Sequence, residues 1–126
     1  MKDSSRHRRI LCVTSSAQTA DLLHQALGSK KGAVLTAFTA DVAVAFCLNN
    51  YVDAVVLGSE LLDDKWTVAQ TLKSIRPTLP ILLFTDAAIA PGALSYIDAV
   101  IPSTGLSEIA SVLAKLLREK RAENTP

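Results

Sequence analysis

At 126 residues, with 49% hydrophobic and 20% charged residues, the chain has the length of one domain and enough apolar side chains for a core, which excludes disorder across its body. Its 13 basic and 12 acidic residues leave a formal net charge of +1, which excludes a strong field steering it toward nucleic acid or an anionic membrane. No apolar run approaches the roughly 20 residues that cross a bilayer, and the start at Met1-Lys2-Asp3 lacks the apolar core of a secretion signal.

The first residues are locally basic, with Lys2, Arg6, His7, Arg8 and Arg9, and residues 1–8 read as a solvated arm, with a grip on phosphates as the alternative. One domain is expected over residues 9–119, with a polar tail over 120–126. Cys12 and Cys47 lie in apolar stretches without C-x-x-C spacing, so both read as free thiols suited to a reducing cytoplasm, where the chain is expected to reside.

In chain order, short unbroken apolar runs alternate with segments of helical period, as in parallel sheets covered on both faces. The first strand is Ile10 to Val13; Ser16 then caps a helix expected to bury Leu22, Leu23, Ala26 and Leu27 and to end at Gly28. The second strand runs from Ala33 to Phe38. Thr39 opens a helix with Asp41 in its first turn, Val42, Ala45, Phe46 and Leu48 on the expected buried side, and Asn49 and Asn50 at its end. Asp53 to Leu57 forms the third strand, and Val68, Leu72 and Ile75 mark a helix that stops before Pro77. Ile81 to Thr85 is the fourth strand. A short helix beginning near Pro91 and holding Leu94, Tyr96 and Ile97 leads to a brief fifth strand, Ala99 to Ile101. The last helix buries Leu106, Ile109, Ala110, Leu113, Leu116 and Leu117. The expected fold is a doubly wound α/β sandwich, flavodoxin-like, with five parallel strands in the order 2-1-3-4-5.

Ligands in such sheets bind beyond the carboxyl ends of the strands. There the sequence places Thr14, Ser15 and Ser16 after the first strand, Gly58, Ser59 and Glu60 after the third, and Thr85 and Asp86 after the fourth. No acidic cluster is present. The segments Arg9-Ile-Leu-Cys-Val13, Asp53-Ala-Val-Val-Leu-Gly58 and Arg76-Pro-Thr-Leu-Pro-Ile-Leu-Leu-Phe-Thr85 resemble strand signatures of the CheY-like receiver domains of bacterial response regulators, over about residues 8–119. That resemblance implies a place in two-component signal transduction and phosphorelay, with a sensor kinase or an output protein as partner, and homodimer formation as a further expectation.

The resemblance also implies where the family's chemistry would lie. Its magnesium-holding acidic pair falls on Thr14 and Ser15, its phosphoacceptor Asp on Gly58, and its phosphate-binding Lys on or beside Pro102. No Lys occurs between Lys73 and Lys115. Thr85 alone retains the family's hydroxyl residue, while the switch aromatic of the fifth strand is replaced by Ala99, with Tyr96 displaced upstream. The segment between Thr85 and the fifth strand is shorter than the family's by about one helical turn. The fourth helix is therefore expected to be reduced, and the candidate contact surface comprises Ile89, Leu94, Tyr96 and Ile97 with the outer side of the last helix.

Isolated residues carry plainer readings. Asp63 and Asp64 suit an N-cap and a helix dipole, with a displaced metal or phosphoacceptor site as the alternative. Glu60 reads as a loop acid, with phosphoaspartate mimicry as its alternative. His24 lacks a paired nucleophile, and Trp66 reads as packing at the sheet edge. Nucleotide, P-loop, serine-elbow and zinc-protease motifs do not occur. The expectation is a non-enzymatic, phosphorylation-independent module that binds other proteins, without metal or cofactor. The rival is a flavodoxin-like ligand-binding or catalytic domain using Ser15, Ser59, Glu60, Thr85 and Asp86, or a receiver phosphorylated on Asp63, Asp64 or Asp86.

Overall fold

A computed structural model of the chain describes residues 8–27, 32–58, 65–86 and 95–124. The apolar runs become strands β1 (Arg8–Val13), β2 (Gly32–Ala37), β3 (Ala54–Gly58), β4 (Ile81–Phe84) and β5 (Ala99–Ile101). Between and after them lie helices α1 (Ala17–Leu27), α2 (Ala40–Asn49), α3 (Lys65–Ile75) and α4 (Ile109–Asn124). All neighbouring strands are parallel and the sheet order is β2-β1-β3-β4-β5, as the sequence implied. Among the described residues no helix is long and apolar enough to cross a membrane.

Alternation along each strand divides the core into two layers. Leu11, Val13, Val55, Leu57, Ile81 and Leu83 point to the α2–α3 side, where they meet Ala43, Val68, Ala69 and Leu72. Ile10, Cys12, Ala54, Val56, Leu82 and Phe84 point to the opposite side, against Leu23 and Leu27 of α1 and Ile109, Leu113 and Leu116 of α4. β3 pairs on both edges and is covered on both faces, which is why every one of its five residues is buried.

Local chemistry sets the helix ends. Ser16 accepts the Thr19 N–H on its hydroxyl at 3.1 Å, and Thr39 accepts the Val42 N–H at 3.1 Å, so both predicted N-caps form. α2 ends where the Asn50 N–H and side-chain amide both donate to the Phe46 carbonyl, at 2.9 and 3.1 Å. The predicted Gly28 cap and the Trp66 side chain lie outside the described residues, as do residues 87–94 of the expected short helix. Residues 95–96 form a 3₁₀ turn.

Several expected inward faces are turned. Leu22 is exposed, because the stripe Ala20, Leu23 and Leu27 already faces the sheet and Leu22 lies about 100° away from Leu23. In α2 the core side is Ala40, Ala43, Val44 and Cys47, at i, i+3, i+4 and i+7, with Phe46 beside it. Val42, Ala45 and Leu48 face outward instead, Leu48 with 64% of its surface exposed. The last helix begins later than expected: Ser103–Glu108 is a 3₁₀ turn that holds Leu106, and Ala110 faces solvent. Phe38 lies past the end of β2 and is exposed.

At the amino ends of the strands two aspartates act alike. Asp53, one residue ahead of β3, accepts the Arg9 N–H at 2.7 Å and returns its own N–H to the Arg9 carbonyl at 2.8 Å. Asp98, one residue ahead of β5, accepts the Ile81 N–H at 2.8 Å and returns its N–H to the Ile81 carbonyl at 2.8 Å. Asp98 also takes the Lys73 ammonium at 2.8 Å, and that ammonium donates to the Leu79 carbonyl, which ties α3 to both strands. Asp98→Ala is expected to cost about 2–4 kcal/mol in urea denaturation, because it strips a mostly buried ammonium of its counter-charge and leaves the Ile81 N–H without its acceptor. Lys73→Met should cost clearly less, since Asp98 keeps its bond to Ile81; equal losses would contradict this account.

Burial pushes the Cys12 thiol up to about 12 from its ordinary 9.0. A thiol held neutral in the fold but ionised in the unfolded chain contributes stability fully present below pH 9 and lost as pH rises toward 12. Across that window the wild type should therefore lose about 1.4 kcal/mol per pH unit more than Cys12→Ala. Parallel alkaline curves for the two proteins would contradict it.

Candidate functional site

The order of the sheet reverses between β1 and β3, and the crevice beyond their carboxyl ends is where this architecture places ligands. Val13 pairs with Leu57 and Gly58 with Phe84, so Thr14 emerges level with Gly58 and Thr85 one step beyond it. The register thus brings Thr14, Gly58 and Thr85 to one edge.

Thr14 is fully buried. Its N–H donates to the Ala37 carbonyl at 3.1 Å, and its hydroxyl accepts the Ser16 N–H at 3.1 Å. The hydroxyl therefore closes the turn that hands β1 over to the cap of α1. Ser15 beside it is exposed, Gly58 is buried as the last residue of β3, and Pro102 is exposed directly after β5. Thr85 is buried, and its N–H extends the β4–β5 ladder to the Ile101 carbonyl at 3.0 Å. Asp86 is exposed.

At the ends of β1, β3 and β4, Asp86 is the single carboxylate among the described residues. Magnesium binds through carboxylates and other hard oxygens converging from separate segments. Among the described residues no three His, Cys, Asp or Glu side chains gather as a metal site, and the Thr14 hydroxyl is turned into a backbone contact. These residues do not fit the ion.

Ser59, Glu60, Asp63, Asp64, Ile89 and Leu94 lie outside the described residues. Of the remaining contact candidates, Tyr96 is half-buried against the α2–α3 side of the core, and Ile97, with 9% exposure, belongs to that core itself. Ile97 is thus withdrawn from a contact surface by its packing. His24 lies 2.8 Å from the Thr36 hydroxyl through Nε2 and ties α1 to β2. Sequence reasoning missed the outward apolar face of α2; the signal available was a helix with apolar residues on every side.

No protein-family model and no curated protein matches the chain by sequence. Solved structures do match its fold. A CheY-like response regulator receiver domain protein from Methanospirillum hungatei JF-1 superposes with TM-score 0.83 at 20% identity, covering 94% of this chain and 99% of that one. The signal receiver domain of an HD domain-containing protein from Pseudomonas fluorescens Pf-5 gives TM-score 0.81 at 20% identity, over 94% and 92%. The N-terminal domain of a response regulator/sensory box/GGDEF 3-domain protein from Carboxydothermus hydrogenoformans gives 0.79 at 21% identity, over 94% and 100%. The chain therefore has the receiver fold.

Placing acids at this edge should be costly. Thr14→Asp with Gly58→Asp puts two like charges into a buried setting, and the melting temperature without metal should fall by roughly 6 °C or more at neutral pH. Such carboxyls would titrate above their unfolded values, so the deficit relative to wild type should be full at high pH and close as pH falls toward 4. An unchanged melting temperature would show that the edge is not the closed, neutral packing described.

Proposed function

We propose that this chain is a receiver-fold signalling module that works by protein–protein contact and does not accept a phosphoryl group. The observation that carries the reading is Thr14, buried and committed through its hydroxyl to the turn into α1, level with a buried Gly58. In the family it resembles, these positions, with Ser15, carry the acids that hold magnesium and take the phosphoryl group. Pro102 stands where the phosphate-binding Lys would lie. A glycine has no side chain to phosphorylate, and neutral hydroxyls do not offset the dehydration of a hard divalent cation.

On this reading Thr85 is a remnant of the switch, now a buried part of the β4–β5 ladder, and the chain is not an enzyme. It acts in the cytoplasm, with a sensor kinase or an output protein as its partner, and its associations are constitutive.

Amide NMR in the presence of magnesium, with and without beryllofluoride, tests this directly. No saturable shift is expected at Thr14, Gly58 or Thr85 at physiological magnesium. Acetyl phosphate is expected to add no phosphoryl mass. A stable acyl phosphate mapped to Asp63, Asp64 or Asp86 would replace this reading with that of a receiver using a displaced carboxylate.

A further inference from the structure

The residues that α2 turns outward are Asp41, Val42, Ala45, Leu48 and Asn49. At about 100° per residue they all lie within roughly 60° of Ala45, so they form one face. Val42 is 52% exposed and Leu48 64%, with exposed Phe38 and Tyr51 just beyond the two ends of the helix. An open groove of about 350 Å³ runs beside this face toward α3, lined by Ala40, Val44, Ala45, Leu48, Val68 and Thr71. A surface helix normally keeps its outward side polar, and a helix apolar all round is normally covered.

The pattern of the face points to what covers it. It is symmetric about Ala45: Val42 and Leu48 lie three residues to either side, and Asp41 and Asn49 four. A two-fold axis demands a patch complementary to itself. When two copies of α2 cross antiparallel at Ala45, Val42 shares a level with the other copy's Leu48, and Asp41 with its Asn49. Level by level, an apolar residue is matched diagonally across the axis with an apolar one, and a carboxylate acceptor with an amide donor. The small Ala45 lets the two backbones approach. Asn49 spends one side-chain bond on the Ala45 carbonyl at 2.8 Å, and its amide has a second N–H for the partner's Asp41. Asp41 is the one charge on the face, and antiparallel pairing separates the two copies of it by about 12 Å along the axis, whereas parallel pairing would set them together.

We propose that the outer face of α2 is a homodimer interface, in which a second copy of this chain packs antiparallel across Ala45. The patch is short, so the dimer is a concentration-dependent one. It is a different surface from the one around Tyr96, and it does not depend on phosphoryl chemistry.

Sedimentation from micromolar to millimolar protein should show a monomer–dimer equilibrium. Val42→Glu, placed in the first turn where the helix dipole favours an acid, should keep the circular dichroism spectrum and weaken dimerisation by about tenfold or more. Leu48→Gln, without a new charge, should weaken it in the same direction. In a Cys47→Ser background, Ala45→Cys lies on the two-fold axis and should form an intermolecular disulfide on mild oxidation. A monomer at every concentration, a dimer indifferent to both exposed substitutions, or failure of Ala45→Cys to cross-link would each overturn the proposal. None of these results touches the magnesium and acetyl phosphate tests, so the two readings fail separately.

Discussion

Everything in this fold is placed relative to a strand that has no surface. Val55, Val56 and Leu57 of β3 expose none of their area, so water can satisfy neither the backbone nor the side chains there. The backbone groups must all be taken up by β1 and β4, and the side chains by one helical layer on each face. Because crossovers are right-handed, the step from β1 out to β2 puts α1 over one face, and the steps back across the sheet to β3 and on to β4 put α2 and α3 over the other. α4, after the last strand, completes the layer of α1, and the placing of α1 opposite α2 and α3 follows from that requirement. So does the crevice at the carboxyl end, where the winding reverses beside Thr14 and Gly58.

The two ends of the sheet are built with different chemistry. At the amino end, register is held by ionic and charge-assisted bonds, and Asp-Ala-Val occurs twice: Asp53-Ala54-Val55 and Asp98-Ala99-Val100. In each the Asp locks the neighbouring strand with a reciprocal pair of bonds. Arg76 adds a third tie, donating to the Val52 carbonyl and to the Tyr51 hydroxyl while its guanidinium lies 4.2 Å from the centre of the Tyr51 ring. At the carboxyl end, by contrast, Thr14 is closed by neutral backbone bonds. The Thr14 hydroxyl and Gly58 carry no charge of their own, whereas at the amino end Asp53, Asp98, Lys73 and Arg76 each already hold a partner.

The strands were legible because two-sided burial writes itself as unbroken apolar runs, their order because strands alternating with helices point to a doubly wound sheet, and both N-caps because Ser16 and Thr39 stand directly before helical stripes. The inward face of α2 was not legible. With Val42, Ala43, Val44, Ala45, Phe46, Cys47 and Leu48 consecutive, several helical stripes are equally apolar, and only the position of the sheet selects Ala43 over Ala45. The aspartate locks were hidden for another reason. Asp53 reads as the first residue of a strand, and the N–H it accepts lies 44 residues earlier in the chain. At the carboxyl edge the residue types were readable in advance; the full burial of Thr14 and its bond to Ser16 were not, since a threonine after a strand is as often solvated.

On the proposed reading, the neutral edge and the apolar helix belong together. A receiver changes its contacts because a bound charge stabilises one of two conformations more than the other, and a ligand without differential affinity shifts nothing. Thr14 and Gly58 offer no group through which a phosphoryl charge could act, so the population of conformers is set by the fold alone. What then controls association is mass action: the concentration of the chain and of whatever competes for its surface. Such a module reports how much of it is present rather than whether it has been modified, and for that task a constitutively exposed Val42–Leu48 face serves where a face uncovered on phosphorylation would not.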